Sequence, residues 1–95
     1  MHVISRKKLK EAAAAHGNLA EPLDAWYRTA RSATWANIFD LRRQFPTADV
    51  VGKYTVFNIK GNTYRLVVQI YYISQVILVR EVLTHADYDK EGWKK

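Results

Sequence analysis

Hydrophobic and polar residues along this chain change their spacing near Tyr54. Before it, apolar residues recur every three or four positions, which is the spacing of one face of an α-helix. After it, apolar and polar residues alternate, and β-branched and aromatic residues dominate, which is typical of strands. The pattern predicts an α+β domain in which two to three amino-terminal helices precede a β-sheet.

The first half contains signals for where each helix begins and ends. Ser5 is expected to cap a helix over residues 6–16, and Pro22 suits the first turn of a second helix. Thr34 is expected to cap a third, shorter helix, which ends before Pro46 because proline disfavours helical geometry in the residue preceding it. The apolar stripes of these helices predict the core positions Leu9, Ala12, Ala13, His16, Leu23, Trp26, Tyr27, Ala30, Trp35, Ile38 and Phe39.

Strands are predicted in the second half at about residues 54–60, 63–73 and 76–83. Gly61-Asn62 and Ser74-Gln75 are expected to form the turns, because a two-residue hairpin loop needs a positive φ, which glycine adopts without steric cost. Residues 47–52 are interpreted as a loop. These features predict an antiparallel sheet of about three strands, covered by the helices on its apolar face and followed by a short carboxy-terminal helix or tail.

The middle strand has one apolar face and one mixed face, since successive side chains point to opposite sides. Arg65, Gln69 and Tyr71 fall on the mixed face. We expect this face to form a shallow groove that is open to water or to a ligand.

Composition narrows the class of protein. A chain of 95 residues supports one domain, residues 1–95, and its formal charge of +6 favours an anionic partner such as nucleic acid or an acidic protein, although a basic soluble surface would give the same charge. The absence of cysteine excludes disulfides and thiolate nucleophiles. With no apolar run of roughly 18 residues and no signal-peptide pattern, we expect a cytoplasmic protein that does not enter membranes.

Most motifs of enzymes are missing, including the glycine-rich phosphate loop and the His-Glu-x-x-His pair. His2, His16 and His85 lie far apart, and no acidic cluster accompanies them, so we expect no catalytic metal and no other cofactor. The polar residues that remain, near the end of the last strand and on the facing strands, are Lys53, Lys60, Arg65, Arg80, His85 and Tyr88.

This polar set suits the cleavage of a phosphodiester without metal. Such cleavage needs a base for the 2′-hydroxyl proton, a cation for the developing phosphorane and an acid for the leaving 5′-oxygen. His85 can act as base or acid, and arginine binds phosphate through two parallel hydrogen bonds. Tyr71, on the face of Arg65, is the better candidate of the tyrosine pair for stacking on a base.

Each candidate also has a structural interpretation. His85 could be a solvated residue beside a helix cap at Thr84, and Arg65 could pair with Glu81 across the sheet. Tyr88 could be a core aromatic residue whose hydroxyl alone is exposed. The lysines could simply be the solvated ends of strands.

Two stretches resemble the HigB-type toxins of the RelE superfamily of small bacterial ribonucleases. They are Val-Phe-Asn-Ile-Lys-Gly-Asn-Thr-Tyr-Arg-Leu at residues 56–66 and Arg-Glu-Val-Leu-Thr-His-Ala-Asp-Tyr at residues 80–88. The resemblance covers nearly the whole chain and implies a RelE-like fold. It also implies a toxin that enters the ribosomal A site and cleaves mRNA by metal-independent acid/base catalysis. The implied partners are the ribosome, the mRNA and a HigA-like helix-turn-helix antitoxin, through which the toxin reaches operator DNA.

The resemblance also assigns roles to residues. Arg65 matches the family's phosphate-binding arginine, and His85 and Tyr88 fall where its carboxy-terminal catalytic side chains lie. RelE-like enzymes tend to carry arginine or lysine where this chain has Thr84 and His85. We therefore expect Arg65, His85 and Tyr88 to be catalytic, with Asp87 orienting the histidine. The expected RNA-binding residues are Lys53, Lys60, Tyr71 and Arg80.

Two other classes of function fit the same residues. A binding module would hold RNA or DNA in the basic groove without cutting it, and its affinity would fall steeply with salt. A protein-interaction domain would use the exposed sheet face or an edge strand to bind an extended segment of a partner.

Overall fold

The computed structural model describes residues 1–94. The α-helices are α1 (Lys7–Ala15), α2 (Ala20–Ser32), α3 (Ile38–Gln44) and α4 (His85–Asp89), with 3₁₀ turns at Gly17–Leu19 and Gly92–Lys94. The strands are β1 (His2–Ile4), β2 (Asp49–Val51), β3 (Tyr54–Ile59), β4 (Tyr64–Tyr71) and β5 (Val76–Thr84). The α+β class agrees with the prediction from sequence, whereas residues 1–94 contain four α-helices and five strands, and β1 precedes the helices.

The sheet is larger than predicted and it is mixed. Its strands lie in the order β1-β5-β4-β3-β2, so the predicted antiparallel meander β3-β4-β5 forms its centre. β1 adds to β5 in parallel and β2 adds to β3 in antiparallel fashion. The expectation of about three antiparallel strands was therefore wrong at both edges. Each edge strand has only three residues, which is too short for an alternating pattern to be recognised.

A β-bulge at Arg80 interrupts the central pairing. Val67 pairs with Glu81 whereas Val68 pairs with Val79, which leaves Arg80 as the extra residue of β5. A bulge of this kind changes which side chains of a strand share a face. As a result Val79 and Val82 both pack on the helix side, and Leu83 faces the other side of the sheet.

Neither of the caps predicted for α1 and α3 forms. Asn37, rather than Thr34, caps α3, since its Oδ1 accepts a hydrogen bond of 3.0 Å from the backbone of Asp40. Ser5 makes no side-chain cap for α1 and has a φ of 63°. The cap of α3 differs from the prediction because α3 begins at Ile38, three residues after the start of the apolar pattern at Trp35.

The main core lies between the helices and one face of the sheet. Its largest fully buried side chains include Trp26 and Phe57, whose rings meet edge to face with centroids 5.5 Å apart. Burying side chains of this size contributes about 1.5–3 kcal/mol each. Phe39 was predicted to join this core, but it is 72% exposed, since α3 packs through Leu41 on its other side.

A second apolar cluster lies on the opposite face of the sheet. Tyr54, Val56 and Val67 form its buried part, and Tyr88 and Trp93 pack over them. The face that we expected to be an open groove is therefore partly covered by α4 and the segment after it. No helix within residues 1–94 is long and apolar enough to cross a membrane.

Candidate active site

The site forms where the β3–β4 turn meets the start of α4. Tyr64 pairs with Thr84 across β4 and β5, and the backbone of His85 donates to the carbonyl of Thr63 over 3.1 Å. The hydroxyl of Thr84 caps α4 by accepting a hydrogen bond of 3.1 Å from the backbone of Asp87. Thr84 is thus the helix cap that its sequence position suggested, and this cap places His85 against the neighbouring strand.

Arg65 is buried, with 8% of its surface exposed, and all of its hydrogen-bond partners are neutral acceptors or the imidazole. Nη1 donates to the carbonyls of Asn62 and Tyr64 at 3.1 and 3.3 Å. Nη2 donates to Oδ1 of Asn62 at 2.6 Å and lies 3.0 Å from Nδ1 of His85. Glu81, the alternative partner for Arg65, lies beside Lys8 at 3.8 Å instead.

No carboxylate within residues 1–94 forms an ion pair with Arg65. A cation that is removed from water without a counter-ion is costly to the folded state, and hydrogen bonds to neutral acceptors offset that cost only in part. The guanidinium is therefore a site at which an anion such as a phosphate would be stabilised.

His85 contacts a different group through each ring nitrogen. Nε2 lies 3.1 Å from Oδ2 of Asp89, one helical turn further along α4. Nδ1 lies near Nη2 of Arg65 and 3.3 Å from the carbonyl of Asn62. The carboxylate beside His85 is thus Asp89, whereas Asp87 lies 3.7 Å from Lys90 and does not contact the imidazole. A spacing of four residues within a helix explains the difference, since it places two side chains on one face.

Tyr88 is held between a cation and an aromatic ring. The Tyr88 ring stacks on that of Trp93 with centroids 5.0 Å apart and an interplanar angle of 17°. Cζ of Arg65 lies 5.5 Å from the centroid of the Tyr88 ring. The indole N–H of Trp93 donates to the Tyr88 carbonyl at 2.9 Å, which ties the last turn to α4. The packing interpretation is therefore borne out for the ring, while the hydroxyl makes no hydrogen bond to residues 1–94.

The predicted RNA-binding residues lie at different distances from this cluster. Lys60 lies in the turn before Asn62 and Arg65, and Nζ of Lys53 lies 5.4 Å above the ring of Tyr54 in the second apolar cluster. Arg80 is exposed at the bulge. Tyr71 ends the strand that carries Arg65, about 20 Å away at roughly 3.3 Å per residue. The structure therefore separates Tyr71 from the cluster.

Sequence reasoning missed two members of the site, Asn62 and Trp93, and it chose Asp87 instead of Asp89 as the residue that orients His85. Asn62 had been interpreted only as a turn residue, although an asparagine three residues before an arginine can accept from it. The contact of Asp89 with His85 could have been predicted from a helix that begins at residue 85, because Asp89 lies one turn after His85. Trp93 has no partner in its local sequence, so only the tertiary structure reveals its contact with Tyr54 and Tyr88.

The cluster combines the groups that phosphodiester cleavage requires: a guanidinium, an imidazole and a phenol. Within residues 1–94 no group of three or more histidine, cysteine or acidic side chains could hold a metal ion. A separate groove of about 720 Å³ between α2 and α3, lined in part by Arg28, Asp40 and Arg43, includes none of the predicted site residues.

Comparison with known proteins identifies relatives of this chain. A family model for HigB_toxin, the RelE-like toxic component of a toxin-antitoxin system, matches residues 19–91. The mRNA interferase toxin HigB of Escherichia coli K12 is 35% identical over 92 residues, which cover 94% of this chain and 88% of the relative. The mRNA interferase HigB of Shigella flexneri matches with the same 35% identity over the same shares of the two chains, 94% and 88%. That of Escherichia coli O6:H1 is 29% identical over 93 residues, 95% of this chain and 90% of the relative.

Proposed function

Because this chain belongs to the family of HigB toxins, the RelE-like toxic components of toxin–antitoxin systems, we propose that it cleaves mRNA in the ribosomal A site through Arg65, His85 and Tyr88. The general function follows from the family: the chain is the toxin of a toxin–antitoxin system and an endoribonuclease that cleaves mRNA. The catalytic residues, the place of cleavage and the partners belong to the proposal.

The observation that carries the proposal is the buried guanidinium of Arg65, which has no carboxylate partner within residues 1–94 and lies 3.0 Å from His85. Arg65 would bind the scissile phosphate through Nη1 and Nη2, in place of the neutral acceptors it now contacts. Since the charge on phosphorus oxygens grows in the phosphorane, this contact would strengthen in the transition state.

His85 and Tyr88 would move the protons. The 2′-oxygen attacks phosphorus while its proton passes to Nδ1 of His85, and the bond from phosphorus to the 5′-oxygen breaks as the Tyr88 hydroxyl donates a proton to that oxygen. The products are a 2′,3′-cyclic phosphate and a 5′-hydroxyl end, and solvent restores both side chains. The hydroxyl of Tyr88 supports this role, since no residue of the described chain occupies it as a hydrogen-bond partner.

The neighbouring cations would hold the rest of the RNA. Lys60 lies in the turn before Arg65, Lys53 lies over the ring of Tyr54, and Arg80 is exposed at the bulge of β5. In the proposal these three cations would contact phosphates on either side of the cleaved bond. Tyr71 would contact a base several nucleotides away, because it is about 20 Å from Arg65 along the strand. Asp89, rather than Asp87, would orient His85.

The proposed partners follow from the family. A HigA-like helix-turn-helix antitoxin would neutralise the toxin and link it to operator DNA, and the ribosome would present the mRNA. Since translated mRNA is a cytoplasmic substrate, we propose that the toxin acts there. Its acid/base groups would be side chains alone, without a metal or another cofactor.

The first test is controlled expression in bacteria of the wild type, Arg65→Ala and the matched control Arg28→Ala, with mRNA 5′ ends mapped soon after induction. Arg28 is an exposed arginine of α2 that pairs with Asp24 at 3.1 Å, so its loss removes the same charge at a distant surface. We expect growth arrest and new ends within translated codons for the wild type and Arg28→Ala, and neither for folded Arg65→Ala.

A purified system separates the finer parts of the proposal. We expect cleavage to occur only when the mRNA is bound to programmed ribosomes, and to leave 5′-hydroxyl ends. We also expect it to persist after chelation of free metal ions beyond those that the ribosome retains. Equal cutting of free RNA would contradict the A-site assignment. Full activity of Arg65→Ala would contradict the assignment of the active site.

A further inference from the structure

The two ring nitrogens of His85 face groups of opposite character. Nδ1 lies 3.0 Å from Nη2 of Arg65, which can only donate a hydrogen bond. Nε2 lies 3.1 Å from Oδ2 of Asp89, which as a carboxylate can only accept one. The two neighbouring groups therefore favour one neutral tautomer of the ring over the other.

Only one neutral tautomer satisfies both contacts. With the proton on Nε2, the ring donates to Asp89 and Nδ1 accepts from Arg65. With the proton on Nδ1, the lone pair of Nε2 would face the Asp89 carboxylate and the N–H would face the Arg65 donor. The second arrangement can donate from Nδ1 to the carbonyl of Asn62 at 3.3 Å, but it loses the hydrogen bonds to Arg65 and Asp89 and creates two repulsive contacts.

We propose that Asp89 is a positioning residue that holds the Nε2–H tautomer of His85, so that Nδ1 is the nitrogen that exchanges a proton with the RNA. This inference rests on the proposed function of the site. It goes further by assigning the roles of the two nitrogens and by adding a carboxylate that does not touch the substrate.

The geometry also explains how Nδ1 becomes available. In the free protein Nη2 of Arg65 occupies it, and the same Nη2 donates to Oδ1 of Asn62 at 2.6 Å. A phosphate that binds the guanidinium offers stronger acceptors than the imidazole. Nδ1 then loses its donor and is free to take the 2′-hydroxyl proton. The ring that results can donate to the carbonyl of Asn62, which lies 3.3 Å from Nδ1.

Asp87 provides a matched control on the same helix. The two aspartates are exposed to similar extents, with 57% of the Asp87 side chain and 61% of the Asp89 side chain accessible, but Asp87 faces Lys90. Substituting either one removes the same charge from α4. An effect of general electrostatics would therefore appear in both variants, whereas an effect on the tautomer would appear only at Asp89.

The experiment compares the full-length wild type, Asp89→Ala, Asp89→Asn and Asp87→Ala. The ¹⁵N chemical shifts of the His85 ring report its tautomer in the free protein, and kcat and KM are measured for cleavage of mRNA on programmed ribosomes. We expect Asp89→Ala to lower kcat about tenfold with an unchanged KM, as found for other groups that orient a histidine. Its ¹⁵N shifts should move toward a tautomer mixture. Asp89→Asn retains an acceptor oxygen and should recover much of both signals, while Asp87→Ala should resemble the wild type.

Wild-type kcat and unchanged ring shifts in Asp89→Ala would overturn the inference. Equal losses in Asp87→Ala and Asp89→Ala would overturn it too, in favour of a general charge effect. If Asp89→Ala does not fold, the ring shifts of the wild type decide the matter, because a proton on Nδ1 of His85 would overturn the inference by itself. If the wild type shows the Nε2–H tautomer but cuts no ribosome-bound mRNA, the proposed function fails while the tautomer assignment stands.

Discussion

Nη2 of Arg65 lies 3.0 Å from Nδ1 of His85, so a guanidinium that can only donate hydrogen bonds directly contacts the imidazole. In the proposed reaction this contact would couple phosphate binding to proton transfer, because the nitrogen that would take the proton is the one that Arg65 occupies before a phosphate binds. Two residues that are coupled in this way do not contribute independently to a rate.

We therefore expect a non-additive double-mutant cycle for Arg65→Ala and His85→Ala. Each single substitution should lower kcat by roughly 10²–10⁴-fold, the usual range for loss of an acid/base or a charge-stabilising group. The double variant should be no more than a few-fold slower than the worse single variant. The measurement is single-turnover cleavage of ribosome-bound mRNA, and losses that multiply would indicate that the two side chains act separately.

A carboxylate at position 62 should inhibit the toxin without unfolding it. In Asn62→Asp the new oxygen would lie about where Oδ1 of Asn62 now meets Nη2 of Arg65, at 2.6 Å. The resulting ion pair competes with phosphate, so we expect KM for RNA to rise about tenfold or more. Thermal stability should be maintained or raised.

The control is Asn18→Asp, which makes the same change of charge in an exposed turn of the helical half. It should leave KM close to that of the wild type. An equal rise in both variants would point to the overall charge of the protein instead of the local contact.

The sequence predicts those parts of the fold that depend on local patterns. The helices carry a clear stripe of apolar residues, and the central strands alternate over six or more residues, as in β3 to β5. β1 and β2 were missed because a three-residue strand is defined by its neighbour and not by its own residues. Phe39 was misplaced for a similar reason, since the stripe of a seven-residue helix does not fix which side faces the core.

The site was predictable only where it depends on residue chemistry. Arginine, histidine and tyrosine are recognisable candidates for RNA cleavage, and the structure brings Arg65, His85 and Tyr88 together. The groups that orient them were not predictable in the same way. Asn62 accepts from Arg65 through a turn, and Trp93 reaches Tyr88 and Tyr54 through tertiary contacts that no spacing reveals.

The exposure of Phe39 leads to a prediction about stability. Phe39→Ala should change the free energy of unfolding by less than about 0.5 kcal/mol, because a side chain that is 72% exposed loses little burial. Leu41→Ala, on the same helix but fully buried, should cost about 2–5 kcal/mol. Urea denaturation of both variants checks this, and a large loss in Phe39→Ala would show that α3 packs through its other face.

The alkaline stability of the protein should depend on Tyr72. Burial raises the pKa of its hydroxyl above the usual 10.0, and the positive charge of Arg42 opposes that rise. Since the folded-state pKa lies above that of the unfolded chain, the contribution of Tyr72 is complete below about pH 10 and is lost as the pH rises through the folded-state pKa. Urea midpoints from about pH 8 to pH 11 should fall less in Tyr72→Phe than in the wild type. Tyr71→Phe, which changes a tyrosine that is 48% exposed, should follow the wild type.

Trp93 should be needed for catalysis more than for folding. Its ring stacks on that of Tyr88 and contacts that of Tyr54 edge to face, with centroids 5.6 Å apart. Its N–H donates a hydrogen bond to the carbonyl of Tyr88, in the last turn of α4. Trp93→Ala removes two aromatic pairs, each of which contributes about 0.5–1.5 kcal/mol, so the cost to unfolding should be about 1–3 kcal/mol. The larger effect should be on Tyr88, since its ring would lose its stacking partner and keep only Arg65 and the second apolar cluster as neighbours, and a misplaced acid lowers kcat steeply.

Trp93→Phe distinguishes these effects because it keeps a ring for Tyr88 but loses the hydrogen bond to its carbonyl. We expect Trp93→Ala to lower kcat by roughly 10–100-fold at a temperature well below its melting point, and Trp93→Phe to recover most of that loss. Thermal denaturation and ribosome-dependent cleavage of the two variants provide the comparison. If kcat stays at the wild-type value in folded Trp93→Ala, then Trp93 only covers the second apolar cluster, and the position of Tyr88 is fixed by α4 and Arg65.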